Sequence, residues 1–165
     1  MMSTRSTEVT FQKLAVSDLD DVQEIERACF ITPWSKSAFL NEIHFERSIF
    51  KTLKIENRLI GYGGFWIVLD EIHISNIAIH PDYQRQGFGR MLLTHLLEEA
   101  VARGAMHASL EVRRSNKAAL KLYGDFGFGV ITVRRKYYQD TREDALVMWN
   151  DNIAATLAAG HRQNT

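Results

Sequence analysis

At 165 residues the chain suits one domain, and a chain of this size can bury roughly two-thirds of its unfolded surface, so no staple is needed. Lysine plus arginine equals aspartate plus glutamate at 20 each, which leaves no global field to gather nucleic acid or an anionic membrane; neither is an expected partner. The longest apolar run, Leu59 to Leu69, is broken by glycines and is shorter than the about 20 residues a bilayer span takes. Met1 to Val9 has no apolar core of the signal-peptide kind. One cysteine forms no intramolecular disulfide, which fits a reducing compartment, and a soluble cytoplasmic protein is expected.

Residues 9 to 15 predict a first strand. Ser17 then caps a helix whose stripe is Leu19, Val22, Ile25 and Cys29, which places Cys29 in the core. Pro33-Trp34 breaks the chain and Ser35 restarts a short helix through Phe39, Leu40 and Ile43. Ile49 to Ile55 and Leu59 to Leu69 predict an antiparallel pair turned at Glu56-Asn57-Arg58, with glycines at 61, 63 and 64 weakening the second strand. Glu71 to His80 is the next strand, and its alternation slips: Ile72 and Ile74 share a face, but Ile77 and Ile79 lie an odd number of residues further on. Either a β-bulge near Ser75 or Asn76 restores the register, or the strand becomes buried on both faces.

The following helix carries apolar residues at Leu93, Leu96, Leu97, Ala100 and Val101, with Thr94, His95, Glu98, Glu99 and Arg103 on the solvated positions. Gly104 ends it. Its first turn has backbone N–H groups without intrahelical partners and the positive end of the helix dipole, so an anion is stabilised there. Gly87 permits the turn before it, Gly89 lets phosphate approach the backbone, and Arg85 and Arg90 add charge. Gly-x-Gly alone signals only a tight turn; Leu92 stands where a dinucleotide-binding loop has its third glycine, and no Gly-Lys-Ser/Thr follows.

A strand from Ala108 to Val112 comes next, then a helix from Asn116 to Phe126 that Ser115 caps and Gly127 ends. A last pair, Phe128 to Tyr138 and Asp144 to Trp149, is joined by the polar turn Gln139 to Glu143. The Ala-rich tail frays or forms a short helix. The order β-α-α-β-β-β-α-β-α-β-β predicts an α/β protein with a mixed sheet covered by helices, one domain over 1–150 and a tail over 151–165.

Gln84-x-x-Gly87-x-Gly89, after an apolar strand and His80-Pro81-Asp82-Tyr83, resembles the acetyl-CoA pyrophosphate loop of the GNAT N-acetyltransferases, and the element order agrees along nearly the whole chain. The resemblance implies the GNAT fold: a central, mostly antiparallel sheet with helices on both faces and a bulged strand opening a cofactor cleft. It implies acetyl-CoA as co-substrate and no metal. The backbone of Ile77, Ala78 and Ile79 would hold the donor carbonyl, and the amides of Arg85, Gln86, Gly87, Phe88, Gly89 and Arg90 the pyrophosphate.

Glu111 lies in a strand where Leu110 and Val112 face the other way, and alone it reads as a surface partner of Arg113 or Arg114. Tyr123 shares an apolar stripe with Ala119, Leu120 and Phe126 and alone reads as a core aromatic; Asn116 alone is a first helical residue. Leu110-Glu111-Val112-Arg113, Ser115-Asn116 and Leu122-Tyr123 resemble the RimI family, which acetylates the N-terminal amine of a small-subunit ribosomal protein. There the matching glutamate is the general base, the matching tyrosine the general acid, and the matching asparagine contacts coenzyme A. Thr32-Pro33-Trp34-Ser35 and Arg134-Arg135-x-Tyr137-Tyr138 with Arg142-Glu143-Asp144-Ala145 extend the likeness, implying acceptor-groove edges with Glu143 or Asp144 attracting a protonated amine.

An α-amine of pKa near 8 is about a tenth neutral at pH 7, whereas a lysine near 10.4 is neutral in under one molecule per thousand. A single glutamate is therefore better matched to a protein or peptide N-terminus, and the resemblance points to a ribosomal protein beginning with alanine. A GNAT acting on lysine or a small amine, and a non-catalytic acyl-CoA-binding module, are the rival readings; oligomeric state is open. The six histidines have no paired metal spacing, and Cys29 has no activating neighbour in sequence.

Overall fold

The computed structural model describes residues 8–163; the expectation on Met1 to Val9 lies outside them up to residue 7, as does that on the last two residues of the tail. Seven strands form one sheet: β1 (Val9–Lys13), β2 (Ser48–Ile55), β3 (Arg58–Val68), β4 (Glu71–Ile79), β5 (His107–Arg113), β6 (Gly129–Arg134) and β7 (Ala145–Asn150). Their spatial order is β1-β2-β3-β4-β5-β7-β6. Every neighbouring pair is antiparallel except β4 and β5, which run parallel and pair only from Glu71↔His107 to His73↔Ser109.

Two apolar layers follow from the alternation of side chains across the sheet. One face carries helices α1 (Leu19–Cys29) and α2 (Lys36–His44), with Leu19, Val22, Ile25 and Phe39 packed with Phe50, Tyr62 and Ala78. The other carries α3 (Phe88–Ala102), where Leu92, Leu93, Leu96, Leu97 and Ala100 are buried against Ile72, Ile74 and Ile79. Helix α4 (Lys117–Asp125) contributes Tyr123 to this second layer, and α5 (Ile153–Gln163) contributes the fully buried Ile153. The chain beyond β7 thus adds a helix to the larger core.

The register slip in β4 is a bulge. Gly64 pairs with Asn76 and Phe65 with Ile74, leaving Ser75 as the extra residue. It keeps Ile72, Ile74, Ile77 and Ile79 in one apolar layer while Ala78 enters the other, so the slip and the burial of both faces coexist. The β2–β3 turn is left-handed at two successive residues, Glu56 (φ 49°) and Asn57 (φ 69°), the geometry that suits a tight hairpin. Glycine in β3 is a packing requirement: a Cβ on Gly64 would lie 2.5 Å from the Phe50 ring.

Several local expectations are corrected. The first strand stops at Lys13, and Ser17 lies inside a short 3₁₀ turn, Val16–Asp18. Asp18 makes the local bond instead, its Oδ2 accepting from the Ala15 N–H at 2.9 Å. Asn116, not Ser115, caps α4, accepting from the Ala119 N–H at 3.1 Å, because Ser115 is turned to donate to Glu143. Cys29 packs against the α1–α2 core as expected but is only partly buried, and its thiol donates to the Ile79 carbonyl at 3.3 Å. His95 is not on a solvated face. Its ring stacks on Phe11 at 4.2 Å, Nε2 is buried without a partner among the described residues, and burial holds its pKa below the usual range. β6 ends at Arg134, and Lys136 at φ 51° turns the chain aside before Tyr137.

Candidate active site

Strands β4 and β5 separate after three paired residues, because the bulge at Ser75 re-aims β4 just beyond them. The gap is a cleft of about 860 Å³. Ile77 from β4, Glu111 from β5, and Asn116 and Tyr123 on the α4 side all line it. Four residues singled out in sequence are thereby gathered at one place.

The other expected donor-binding groups sit beside the cleft. Of the three β4 positions only Ile77 lines it; Ala78 packs in the α1–α2 layer, and the Ile79 carbonyl already accepts from Cys29 Sγ and from Gln84 Nε2 at 2.9 Å. This gives Gln84 a structural reason: it ties the start of the loop to the end of β4. In the loop Arg85 (φ 63°) and Gly87 (φ 87°) are left-handed, which bends the chain into the α3 N-terminus. A Cβ on Gly87 would meet nothing within 4 Å, and one on Gly89 would only reach ordinary contact with Leu122 and Ile79. The space beside both glycines is therefore open, next to a helix start whose first amides have no intrahelical carbonyl to bond, a combination suited to a diphosphate. Arg90 forms an ion pair with Asp125, linking this turn to α4.

Glu111 is more engaged than the sequence suggested. His73 Nε2 lies 2.6 Å from its Oε2 and Arg134 Nη2 3.8 Å from its Oε1. The hydrogen bond with His73 is the main reason that its pKa lies below the usual carboxylate range, against the opposing effect of burial. Tyr123 is 8% exposed, contacts Phe128 edge-on at 5.7 Å, and belongs to the larger core. It is thus both a core aromatic and a cleft-lining phenol. Burial pushes its pKa up, so its hydroxyl stays protonated at neutral pH.

Two groups of residues escaped the sequence reading. Glu26 is buried on α1 and receives hydrogen bonds from the Tyr62 hydroxyl, from Asn76 Nδ2 at 3.2 Å and from the Trp34 N–H at 3.2 Å. Burial raises its pKa. A carboxylate one turn beyond Val22 on an apolar stripe was the available signal, since such a group must bring its own donors inside. Its partners fasten the residue beside the bulge and the α1–α2 connection to one anchor. Ser75 Oγ, in the bulge and in a residue lining the cleft, is buried with no partner among the described residues.

The rim joins segments far apart in sequence. Arg113 grips Asp140 through two nitrogens at 3.0 and 2.7 Å, Thr32 Oγ1 donates to the same carboxylate at 2.8 Å, and the guanidinium lies 4.0 Å above the Tyr138 ring. Arg113 holds the Asp140 carboxyl well below the usual range. Glu143 and Asp144 each have a partner on the β5–α4 side: Ser115 Oγ donates to Glu143 at 2.6 Å, and Asp144 lies 3.5 Å from Arg114.

Residues 19–128 match the acetyltransferase (GNAT) family model, and the chain belongs to that family. It is an acetyltransferase that draws on acetyl-CoA. Among its relatives, the [ribosomal protein bS18]-alanine N-acetyltransferase of Escherichia coli K12 is 42% identical over 141 residues, covering 84% of this chain and 95% of the relative. The enzyme of the same name from Salmonella typhimurium LT2 is 40% identical with the same coverage. The crystal structure of the Escherichia coli ribosomal-protein-S18-alanine N-acetyltransferase superposes with a TM-score of 0.80 at 41% identity, covering 87% of this chain and 93% of that one.

Proposed function

We propose that the protein moves acetyl from acetyl-CoA to the α-amine of a protein N-terminus, and that the acceptor is a small-subunit ribosomal protein beginning with alanine. The observation that carries the chemistry is the presence of Glu111 and Tyr123 in one cleft beside the bulged strand; the acceptor's identity rests on the bS18-alanine N-acetyltransferases to which the chain is similar.

In this reading the amides of Arg85 to Arg90 hold the pyrophosphate at the head of α3, and the backbone of Ile77 to Ile79, chiefly Ile77, bonds the thioester carbonyl. Asn116 contacts the coenzyme with the side-chain atoms left over from capping α4. Glu111, directly or through a water, removes a proton from the ammonium. The neutral amine attacks the thioester carbon, the C–N bond forms as the C–S bond breaks, and Tyr123 protonates the thiolate. A phenol suits this task because it is a weaker acid than a thiol, whose pKa is about 8.5, and so remains loaded at neutral pH.

The arrangement favours an N-terminus over lysine because a carboxylate held at low pKa is a modest base, and an α-amine asks far less of it than a lysine does. Purified protein, labelled acetyl-CoA and peptides carrying the ribosomal N-terminus, free or blocked, test the reading. Label is expected on the free α-amine alone. Label on lysine would replace it with the broader acetyltransferase reading, and coenzyme binding without transfer with the non-catalytic one.

A further inference from the structure

Acetyl transfer from a thioester to an ammonium releases one net proton. The nitrogen loses two on becoming an amide; the departing thiolate takes one, and the other must reach bulk water. Bound coenzyme and acceptor obstruct the cleft in which that proton is released, so an exit through the protein is useful.

We propose that His73 is this exit, relaying the proton from Glu111 to solvent, an inference that rests on Glu111 being the base. His73 is the last β4 residue paired with β5, opposite Ser109, so it stands just before the cleft opens, while Glu111 stands two residues beyond Ser109, inside it. Their side chains meet at 2.6 Å. The carboxylate is the enclosed partner, with 17% of its side chain exposed, and the imidazole the open one, at 38%. Glu111 lines the cleft and His73 does not; the ring tilts toward the exposed Trp66 at 6.3 Å. The pair therefore runs from the cleft to water. An imidazole can accept a proton at one ring nitrogen and give one up at the other, and it changes charge nearer neutral pH than a carboxylate does.

The other ionisable groups about the pair favour passage outward. Arg134 of β6 approaches Glu111 at 3.8 Å and opposes retention of the proton, and Tyr138 of the β6–β7 connection interacts with the same carboxylate without carrying charge at neutral pH. Written out, the relay starts from the tautomer with its hydrogen on Nδ1 and Nε2 free to accept: the first ammonium proton passes to Glu111 Oε2 and then to His73 Nε2, Nδ1 gives its own hydrogen to water, and exchange of the exposed ring with solvent restores the starting tautomer. The second, lost as the C–N bond forms, replaces the one Tyr123 gives to the thiolate. His73 acts through Glu111 and is a positioning and relay residue.

The test is steady-state turnover of His73→Ala and His73→Gln at saturating acetyl-CoA and acceptor peptide, with thermal denaturation as the check on folding and with imidazole added in increasing concentration. The expected result is a fall in kcat of about tenfold or more in both variants, KM values within about twofold, and saturable recovery of His73→Ala turnover by imidazole. Turnover of either variant near that of the parent overturns the relay, as does a loss that imidazole does not restore, since a purely structural hydrogen bond would not respond to a free base. Glu111→Gln separates the two levels. If it retains full turnover the base reading itself falls; if it is inactive while His73→Ala is fully active, only the relay falls.

Discussion

The two walls of the cleft are built in different currencies. The β4 wall, with the loop into α3 beside it, is shaped by backbone: an extra residue at Ser75, left-handed conformations at Arg85 and Gly87, and the start of a helix. The β5 wall and the rim are shaped by side chains whose partners lie far away in sequence, Glu111 with His73 and Arg113 with Asp140 and Thr32. A backbone site holds a group that every donor molecule shares, and it tolerates many side chains provided the conformation survives. A side-chain site performs the proton chemistry and meets the acceptor, and it fails when one atom is exchanged.

The largest effect therefore belongs to the side-chain wall. Glu111→Gln should lower kcat by roughly 10²–10⁴-fold while leaving the affinity for acetyl-CoA, measured by calorimetry, near the parent value. The same variant has a signature in stability. The folded-state pKa of Glu111 is depressed, so its contribution is present above the unfolded value and disappears as pH falls through the lowered folded one. Parent and Glu111→Gln denaturation curves should thus converge as the medium is made more acidic than about the ordinary glutamate pKa of 4.3. Curves that stay parallel down to acid would show that the bond with His73 adds nothing to the fold.

Tyr123→Phe comes next, with an expected loss in kcat of about 10²-fold and a melting temperature close to the parent's, because the ring's contacts in the core are kept. Full turnover in a folded variant would return Tyr123 to the role of an ordinary core aromatic. A loss confined to KM would instead assign its hydroxyl to binding.

Gly87→Ala probes the opposite wall. A Cβ there meets no neighbour, so its penalty is purely conformational: φ is +87°, and an L-residue in that region costs about 1–2 kcal/mol. If the loop holds the diphosphate in this conformation, acetyl-CoA binding should weaken by roughly 5–30-fold with kcat at saturation unchanged. A fall in kcat with unchanged binding would blur the division between the walls.

The same division governs what the sequence revealed. The slip in β4 was visible because a period of two broke between Ile74 and Ile77, with a bulge as one of two explanations, and the loop because glycines must fall at fixed distances before a helix. Helix α1 and the α2 cap at Ser35 followed from local rules. Residues with partners elsewhere were silent: nothing near His73 indicates Glu111 until the parallel register His73↔Ser109 is known, and the grip on Asp140 needs three segments in place. The corrections at Ser115 and His95 share this cause, since in each a locally plausible role yielded to a contact made by the fold, whereas Ser17 gave way to the local bond between Asp18 and Ala15. The contacts of Glu143 with Ser115 and of Asp144 with Arg114 were silent in the same way.

The smallest effect should come from Thr32→Val, which removes one donor from the rim while retaining its shape. Asp140 keeps both Arg113 bonds, so the carboxylate remains satisfied. One hydrogen bond is worth about 0.5–1.5 kcal/mol net, and an exposed one belongs at the lower end. What changes is the coupling of the α1–α2 connection to the β6–β7 connection across the acceptor side of the cleft. The expected result is a two- to threefold change in KM for the acceptor peptide, with acetyl-CoA affinity and kcat held. Because Thr32 lies on neither the loop nor the Glu111–His73 pair, a change in coenzyme affinity from this substitution would mean that the rim and the backbone wall move together, and the separation of the two would have to be given up.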